Sequence, residues 1–374
     1  EFALNASALD LTNLNARNRK DKKYKSEQEM IEEVINSNKA NEIKHEDLSI
    51  DKQIGNGQFG SVFKATWEGN VVVVKQLNSD PTLDEHKINN GDDSNYESDD
   101  VELKEEQREK LRKRREARAK EMKAEIVLAS SLPTHHNLVE IFGYVRSPFG
   151  VVMSYMPGDS VQKYVYRSYK KDKHESIPTI MELLIILRKA ASGLKFLHQY
   201  GLVHRDIACR NILLGKIHNN KIESGTEVRI SDFGLTRELE DKDSDDQNQK
   251  TNSNFGPLKW MAPESIKSKE YGKKSDVYMF AITMWEVFYG MEPYINKEDG
   301  TYMTAVEVAI GVVNGELRPT LDLDPVKYPH CPMPDGYEQL MEFCWAKKPR
   351  RRPTFAQIVD TLARIESNPV RRVP

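Results

Sequence analysis

Cysteine is scarce in this chain: Cys209, Cys331 and Cys344 are the only three in 374 residues. They lack the close spacing of metal-ligand pairs, and an odd number cannot all form disulfides. This argues against a disulfide-stapled scaffold and favours a reducing, cytoplasmic setting. Long apolar runs are missing too. None approaches the ~18 residues of a membrane-spanning helix, and the first residues do not read as a signal peptide. Charge of one sign is nearly balanced, with a net of −3, so no global field favours nucleic acid or an acidic membrane. The hydrophobic fraction of 38% is low and the charged fraction of 30% is high. Charged, poorly packed segments attached to an ordinary globular body would give that balance. The length suffices for one large domain or two lobes. The chain opens on Glu1-Phe2 without a methionine, which reads as a fragment of a longer protein.

Residues 1–45 are polar and rich in Asn and Lys, and are expected to be a partly helical or disordered flank. Then comes Ile54-Gly55-Asn56-Gly57-Gln58-Phe59-Gly60-Ser61-Val62. G-x-G-x-x-G alone would serve a dinucleotide site if a helix followed directly. Here Ser61 to Trp67 alternates with period two and is rich in strand formers, so a hairpin is predicted. Glycines in such a hairpin let backbone N–H groups approach phosphate oxygens without a Cβ between. The returning strand, Val71-Val72-Val73-Val74-Lys75, ends a valine run on a cation. Taken alone, Lys75 could be an ordinary lysine leaving the core.

Residues 78–100 are acidic and Asn-rich, and disorder is expected for want of apolar surface. Residues 102–123 interleave ten basic and six acidic residues among strong helix formers, with pairs such as Glu106/Lys110 four apart. A solvated helix is the plain reading of this stretch, and a docking site for an acidic partner is the alternative. The helix runs on into Ala124-Glu125-Ile126-Val127. Farther along, Leu183, Leu187, Ala190, Ala191, Leu194 and Leu197 recur at helical spacing and predict a buried helix over 178–200.

That helix leads to His204-Arg205-Asp206, with Asn211 five residues after the aspartate and Asp232-Phe233-Gly234 twenty-one after Asn211. H-R-D-x-x-x-x-N followed by D-F-G resembles the catalytic loop and metal-binding turn of protein kinases. The glycine-rich hairpin, the strand lysine and Ala262-Pro263-Glu264 stand in the matching order, over roughly residues 46–367. The resemblance implies an α+β bilobal kinase fold. A small lobe, 46–156, would hold a five-stranded antiparallel sheet and helix αC, and a larger, mainly helical lobe would span 157–367, with 368–374 as a tail.

It also implies roles for individual residues. Asp206 would be the catalytic base, Lys75 the phosphate ligand and Glu125 its αC partner. Asn211 and Asp232 would hold Mg²⁺ on ATP. Ile54, Gly55, Gly57, Gly60, Val62, Val73, Met153, Ser154, Met156 and Leu213 would surround the nucleotide, with Met153 as gatekeeper and Met156 offering backbone hydrogen bonds. On its own, a methionine pair there would be core packing. His204 is read as a core residue stacked on Phe233, Asp276 as a brace for the catalytic loop, and Arg352 as the buried partner of Glu264. The 78–122 insert would extend αC and bias its position.

Two features bear on the acceptor. Serine/threonine kinases usually carry a lysine two residues after the catalytic aspartate, where this chain has Ala208; Arg210 stands four after it, as in tyrosine kinases. A tyrosine hydroxyl lies farther from its backbone, so its cation must come from another position. Pro257-Leu258-Lys259-Trp260, Cys331-Pro332 and Cys344-Trp345 also resemble tyrosine kinases, while Trp67-Glu68-Gly69 and Ile207 resemble the tyrosine-kinase-like group, many of whose members act on Ser/Thr. Tyrosine is the favoured acceptor, with dual specificity allowed. No tyrosine lies between Asp232 and Glu264. Thr251 and Ser253 are then the candidate phosphosites facing Arg205. The rival from another class is a pseudokinase scaffold, against which stands the full set Lys75, Glu125, Asp206, Asn211 and Asp232.

Overall fold

The structure is a computed structural model. It describes residues 41–57, 60–77, 113, 122, 126–127, 132–169, 177–219, 221–232, 236–238, 249–250, 257–296, 299–324, 328 and 330–369. Most of the charged insert, with Glu125, Phe233, Thr251 and Ser253, lies outside them; Lys113, Met122, Ile126 and Val127 are helical.

The first lobe is an antiparallel sheet of β1 (Leu48–Gly57), β2 (Gly60–Trp67), β3 (Asn70–Gln76), β4 (Ile141–Val145) and β5 (Gly150–Ser154), in the order β1-β2-β3-β5-β4. The predicted hairpin is β1–β2, closed by Gly57 opposite Gly60. Gly60 has φ 148°, a conformation that favours glycine. Residues 41–43 are already part of this body: Ile43 is buried, and Arg146 donates two hydrogen bonds to Glu42.

β3 explains why the valine run is continuous. Val72 and Val74 pack with Leu48, Ala65 and Val152 on one side of the sheet. Val73 faces the other way, with Met122, Ile126, Val151 and Met153. A central strand covered on both faces needs apolar side chains at every position. Period two then puts Lys75 on the face of Val73.

The second lobe holds seven α-helices among the described residues: α1 (Val161–Ser168), α2 (Ile180–Gln199), α3 (Pro263–Ser268), α4 (Lys273–Tyr289), α5 (Ala305–Asn314), α6 (Tyr337–Cys344) and α7 (Phe355–Ser367). Short strands β6 (Leu202–Val203), β7 (Ile212–Leu214), β8 (Val228–Ile230), β9 (Arg237–Glu238), β10 (Gln249–Lys250) and β11 (Glu270–Tyr271) pair as β6–β9, β7–β8 and β10–β11. The sheet and seven helices make the α+β bilobal fold that the motifs implied.

The predicted helix over 178–200 is α2. It starts at a capping box in which the Thr179 hydroxyl accepts from Glu182 N–H at 3.3 Å and Glu182 accepts from Thr179 N–H at 2.8 Å. α4 reads differently, because all its residues from Lys274 to Tyr289 are buried, as in a helix surrounded by protein.

Gly193 lets α2 approach a neighbouring loop. A Cβ there would sit 2.5 Å from the Asn137 carbonyl oxygen, which also accepts the Ile230 N–H at 2.9 Å. Alanine would gain about 1 kcal/mol of helix propensity. The clash should outweigh that gain, so Gly193→Ala is expected to lose about 1–2 kcal/mol net, read as a lower denaturation midpoint.

Candidate active site

The glycine hairpin and β3 build the upper side of the site. Lys75 lies opposite Val62 on β2 and Val151 on β5, and Val73 lies opposite Met153. Val73 and Met153 are buried in one cluster, and Val62, Tyr155 and Leu213 pack against it. Leu213 comes from β7 of the other lobe, so residues from both lobes line one apolar surface. Ile54 is exposed and stands outside that cluster. Met156 is buried, and its carbonyl accepts the Asp159 N–H at 3.3 Å. The Ser154 hydroxyl accepts from Arg229 and from the Glu140 N–H, each at 3.3 Å, so it ties the strand end to its surroundings.

The lower side is the segment from His204 to Leu214. Arg205 adopts φ 70°, and a 3₁₀ turn follows over Cys209–Asn211. Asp206 is buried, and its Oδ2 accepts from the Asn211 amide at 2.9 Å. That amide also donates to the Asp206 carbonyl at 2.8 Å, so its carbonyl oxygen is the end left for a ligand. Arg210 donates to Asp206 Oδ1. His204 has no exposed surface. Its Nδ1 accepts the Asp206 N–H at 3.3 Å, and its Nε2 donates to the Ser231 carbonyl at 3.1 Å. Both ring nitrogens are thus engaged within the protein.

α4 supports this loop from beneath. Asp276 accepts the His204 N–H at 2.8 Å and the Arg205 N–H at 2.9 Å, besides the His198 ring at 2.8 Å. Seven residues on, the Thr283 hydroxyl donates to the Ile207 carbonyl at 3.3 Å. Three more on, Glu286 accepts the Cys209 N–H at 3.1 Å. Spacings of seven and three keep these side chains on one side of a helix. One buried helix therefore holds the loop backbone at four points.

The two sides meet at Asp232. Lys75 Nζ lies 3.1 Å from Asp232 Oδ1 across 157 residues of sequence. Asp232 has φ 67°, a strained conformation for a residue with a side chain. Lys75, Asp206, Asn211 and Asp232 are thus brought together with the Val73–Leu213 surface. On the outer side of the loop, Arg352 forms a two-pronged pair with Glu264, at 2.5 and 3.0 Å. Arg205 lies over the Tyr271 ring at 4.0 Å, and Lys259 pairs with Glu292 at 2.7 Å.

Sequence reasoning missed Glu286 and Tyr271. Glu286 did carry a signal: it is the only charged residue between Val277 and Tyr289.

The donor set suits a nucleotide with a hard cation. Lys75 is a buried cation for phosphate, and the half-buried apolar surface suits a planar base. Asn211 and Asp232 offer hard oxygens. No group of three or more His, Cys, Asp or Glu able to hold a metal occurs among the described residues. Magnesium commonly takes only one or two protein oxygens and completes its shell with phosphate and water, so the sparse set fits it. No helix among the described residues is long and apolar enough to cross a membrane.

Comparison with known proteins agrees with this geometry. The chain is 29% identical over 325 residues to a probable serine/threonine-protein kinase of Dictyostelium discoideum, covering 86% of this chain and 20% of that protein. It is 32% identical over 238 residues to ephrin type-B receptor 2 of Gallus gallus and 34% to ephrin type-A receptor 3 of Danio rerio; each match covers 63% of this chain and 21% of the receptor. The chain spans about a fifth of the length of these relatives. A family model described as protein tyrosine and serine/threonine kinase matches residues 48–362, and with the two-lobed fold and the Lys75–Asp232 contact already described, this chain belongs to that protein kinase family.

Proposed function

We propose that the chain transfers the γ-phosphate of ATP to a protein hydroxyl, with tyrosine as the preferred acceptor. The observation that supports phosphoryl transfer best is the approach of Lys75 to Asp232, beside Asp206 and Asn211. Lys75 would hold the α/β-phosphates, and Asn211 and Asp232 would hold Mg²⁺. The metal, when bound, supplies charge that offsets the negative phosphates. Asp206 orients the acceptor hydroxyl and takes its proton as the acceptor oxygen bonds to phosphorus. The bond from phosphorus to the ADP oxygen breaks, and ADP leaves. Val62, Val73, Met153 and Leu213 would enclose the base, with Met156 meeting its edge and Gly55, Gly57 and Gly60 covering the phosphates.

The tyrosine preference rests on Arg210, whose guanidinium donates to Asp206 from the position four residues on. A cation placed there leaves room for an acceptor oxygen carried by an aromatic ring. The serine/threonine reading draws support from the Dictyostelium relative's name and from its coverage of 86% of this chain. A peptide array with Tyr, Ser and Thr acceptors and labelled ATP separates the two. Tyrosine peptides are expected to turn over at least about tenfold faster, a modest specificity ratio for differential transition-state binding. Faster Ser/Thr labelling would overturn the tyrosine assignment and keep the kinase. No Mg-dependent turnover of ATP at all would leave a binding scaffold. The charged insert, as a docking site for an acidic partner, belongs to the same proposal.

A further inference from the structure

Glu286 has no exposed surface, yet it joins three parts of the molecule. One carboxylate oxygen accepts the Cys209 N–H and the Trp260 indole N–H, each at 3.1 Å. The other accepts the Tyr166 hydroxyl at 2.9 Å and the Gln162 amide at 3.5 Å. Burial pushes its carboxyl up, and the Cys209, Tyr166 and Trp260 donors oppose that push. The Trp260 ring, fixed by its N–H, presents its face to Arg210, whose guanidinium carbon lies 5.3 Å from the ring centroid. Arg210 in turn donates to Asp206.

Two routes thus run from Glu286 to Asp206, one through the 3₁₀ turn and one through the indole and guanidinium. Simple packing on a buried helix does not call for a carboxylate, since an apolar residue would fill the space without the cost of dehydrating a charge. Arg210 itself is a third exposed, and a long side chain at such a position has many rotamers open to it. The indole face removes most of them, because a guanidinium stacks flat on an aromatic ring.

We propose that Glu286 and Trp260 are positioning residues for the acceptor side of the site. They hold the plane of Arg210, and through it the direction in which Asp206 meets the acceptor hydroxyl. This inference rests on the phosphoryl-transfer reading above. A packing role alone predicts no dependence on Arg210, so the test is a double-mutant cycle. Trp260→Phe keeps a ring and loses the N–H. Its kcat for an acceptor peptide is expected to fall about tenfold, the scale on which misplacement of a catalytic group acts. In an Arg210→Ala background the same change should cost less than about twofold. Glu286→Gln should lower kcat at least as much as Trp260→Phe; if it fails to fold, the Trp260 cycle decides alone. Equal factors in both backgrounds, or no effect of Trp260→Phe by itself, would overturn the inference. Wild-type protein that turns over no Mg-ATP would instead remove the kinase reading, and that appears before any variant is compared.

Discussion

Asp206→Asn is expected to lower kcat by about three orders of magnitude and to leave the Kd for ATP within about threefold of wild type. In the proposed reaction Asp206 serves the acceptor side, and it is held by the Asn211 amide at 2.9 Å and by Arg210. Asparagine has nearly the same shape, so the loop can keep its path. It cannot take a proton from the acceptor, and its neutral amide no longer balances Arg210. The nucleotide side stays intact, because Lys75 and Asp232 meet each other without Asp206. Single-turnover phosphoryl transfer, with a separate titration of nucleotide binding, checks both halves. A parallel loss of ATP affinity would mean that Asp206 holds nucleotide or metal, contrary to the assignment.

The largest effect on stability is expected at Arg352. Its side chain is 1% exposed and has every direction filled. Besides the two bonds to Glu264, it donates to the Ala346 and Lys274 carbonyls, each at 2.9 Å. Arg352→Ala leaves both carbonyls without a donor and the mostly buried Glu264 carboxylate, 12% exposed, without its partner. Breaking a buried pair on one side costs about 3–5 kcal/mol. In a chain of this size that is a fall in Tm of roughly 5–15 °C. Arg352→Lys should recover little of it, since an ammonium cannot match the two-pronged geometry. The double variant Arg352→Met/Glu264→Leu should be less damaged than Arg352→Ala, because no charge is left alone. A loss under about 1 kcal/mol for the alanine variant would mean the pair is wet, against the general rule for a buried one.

Much of this was legible in the residues because it is local. Alternation over Ser61–Trp67 announces β2, and the helical spacing of Leu183 to Leu197 announces α2. Asp206, Arg210 and Asn211 lie within five residues of each other, so their meeting needs only one turn. The Lys75–Asp232 contact spans 157 residues, and only the motif order pointed to it. Glu286 and Tyr271 escaped for a different reason. Each acts by what folds onto it from elsewhere: Trp260 and Cys209 on the one, Arg205 on the other. Nothing in the periodicity of a buried helix or a two-residue strand records such a visitor. The Ser154 hydroxyl likewise takes its partners, Arg229 and Glu140, from other segments of the chain. The parts assigned to Glu125, Phe233, Thr251 and Ser253 concern residues beyond those described.

The two-sided burial of β3 means that its spelling is freer than its count. Isoleucine for valine at 72, 73 or 74 changes a methyl group or so, within what a core absorbs. Losing one of those residues turns everything beyond it through half a revolution. The ammonium now beside Asp232 would then be thrust into the greasy layer occupied by Leu48, Ala65 and Val152. Divergent copies of this segment should therefore differ in letters far more readily than in length.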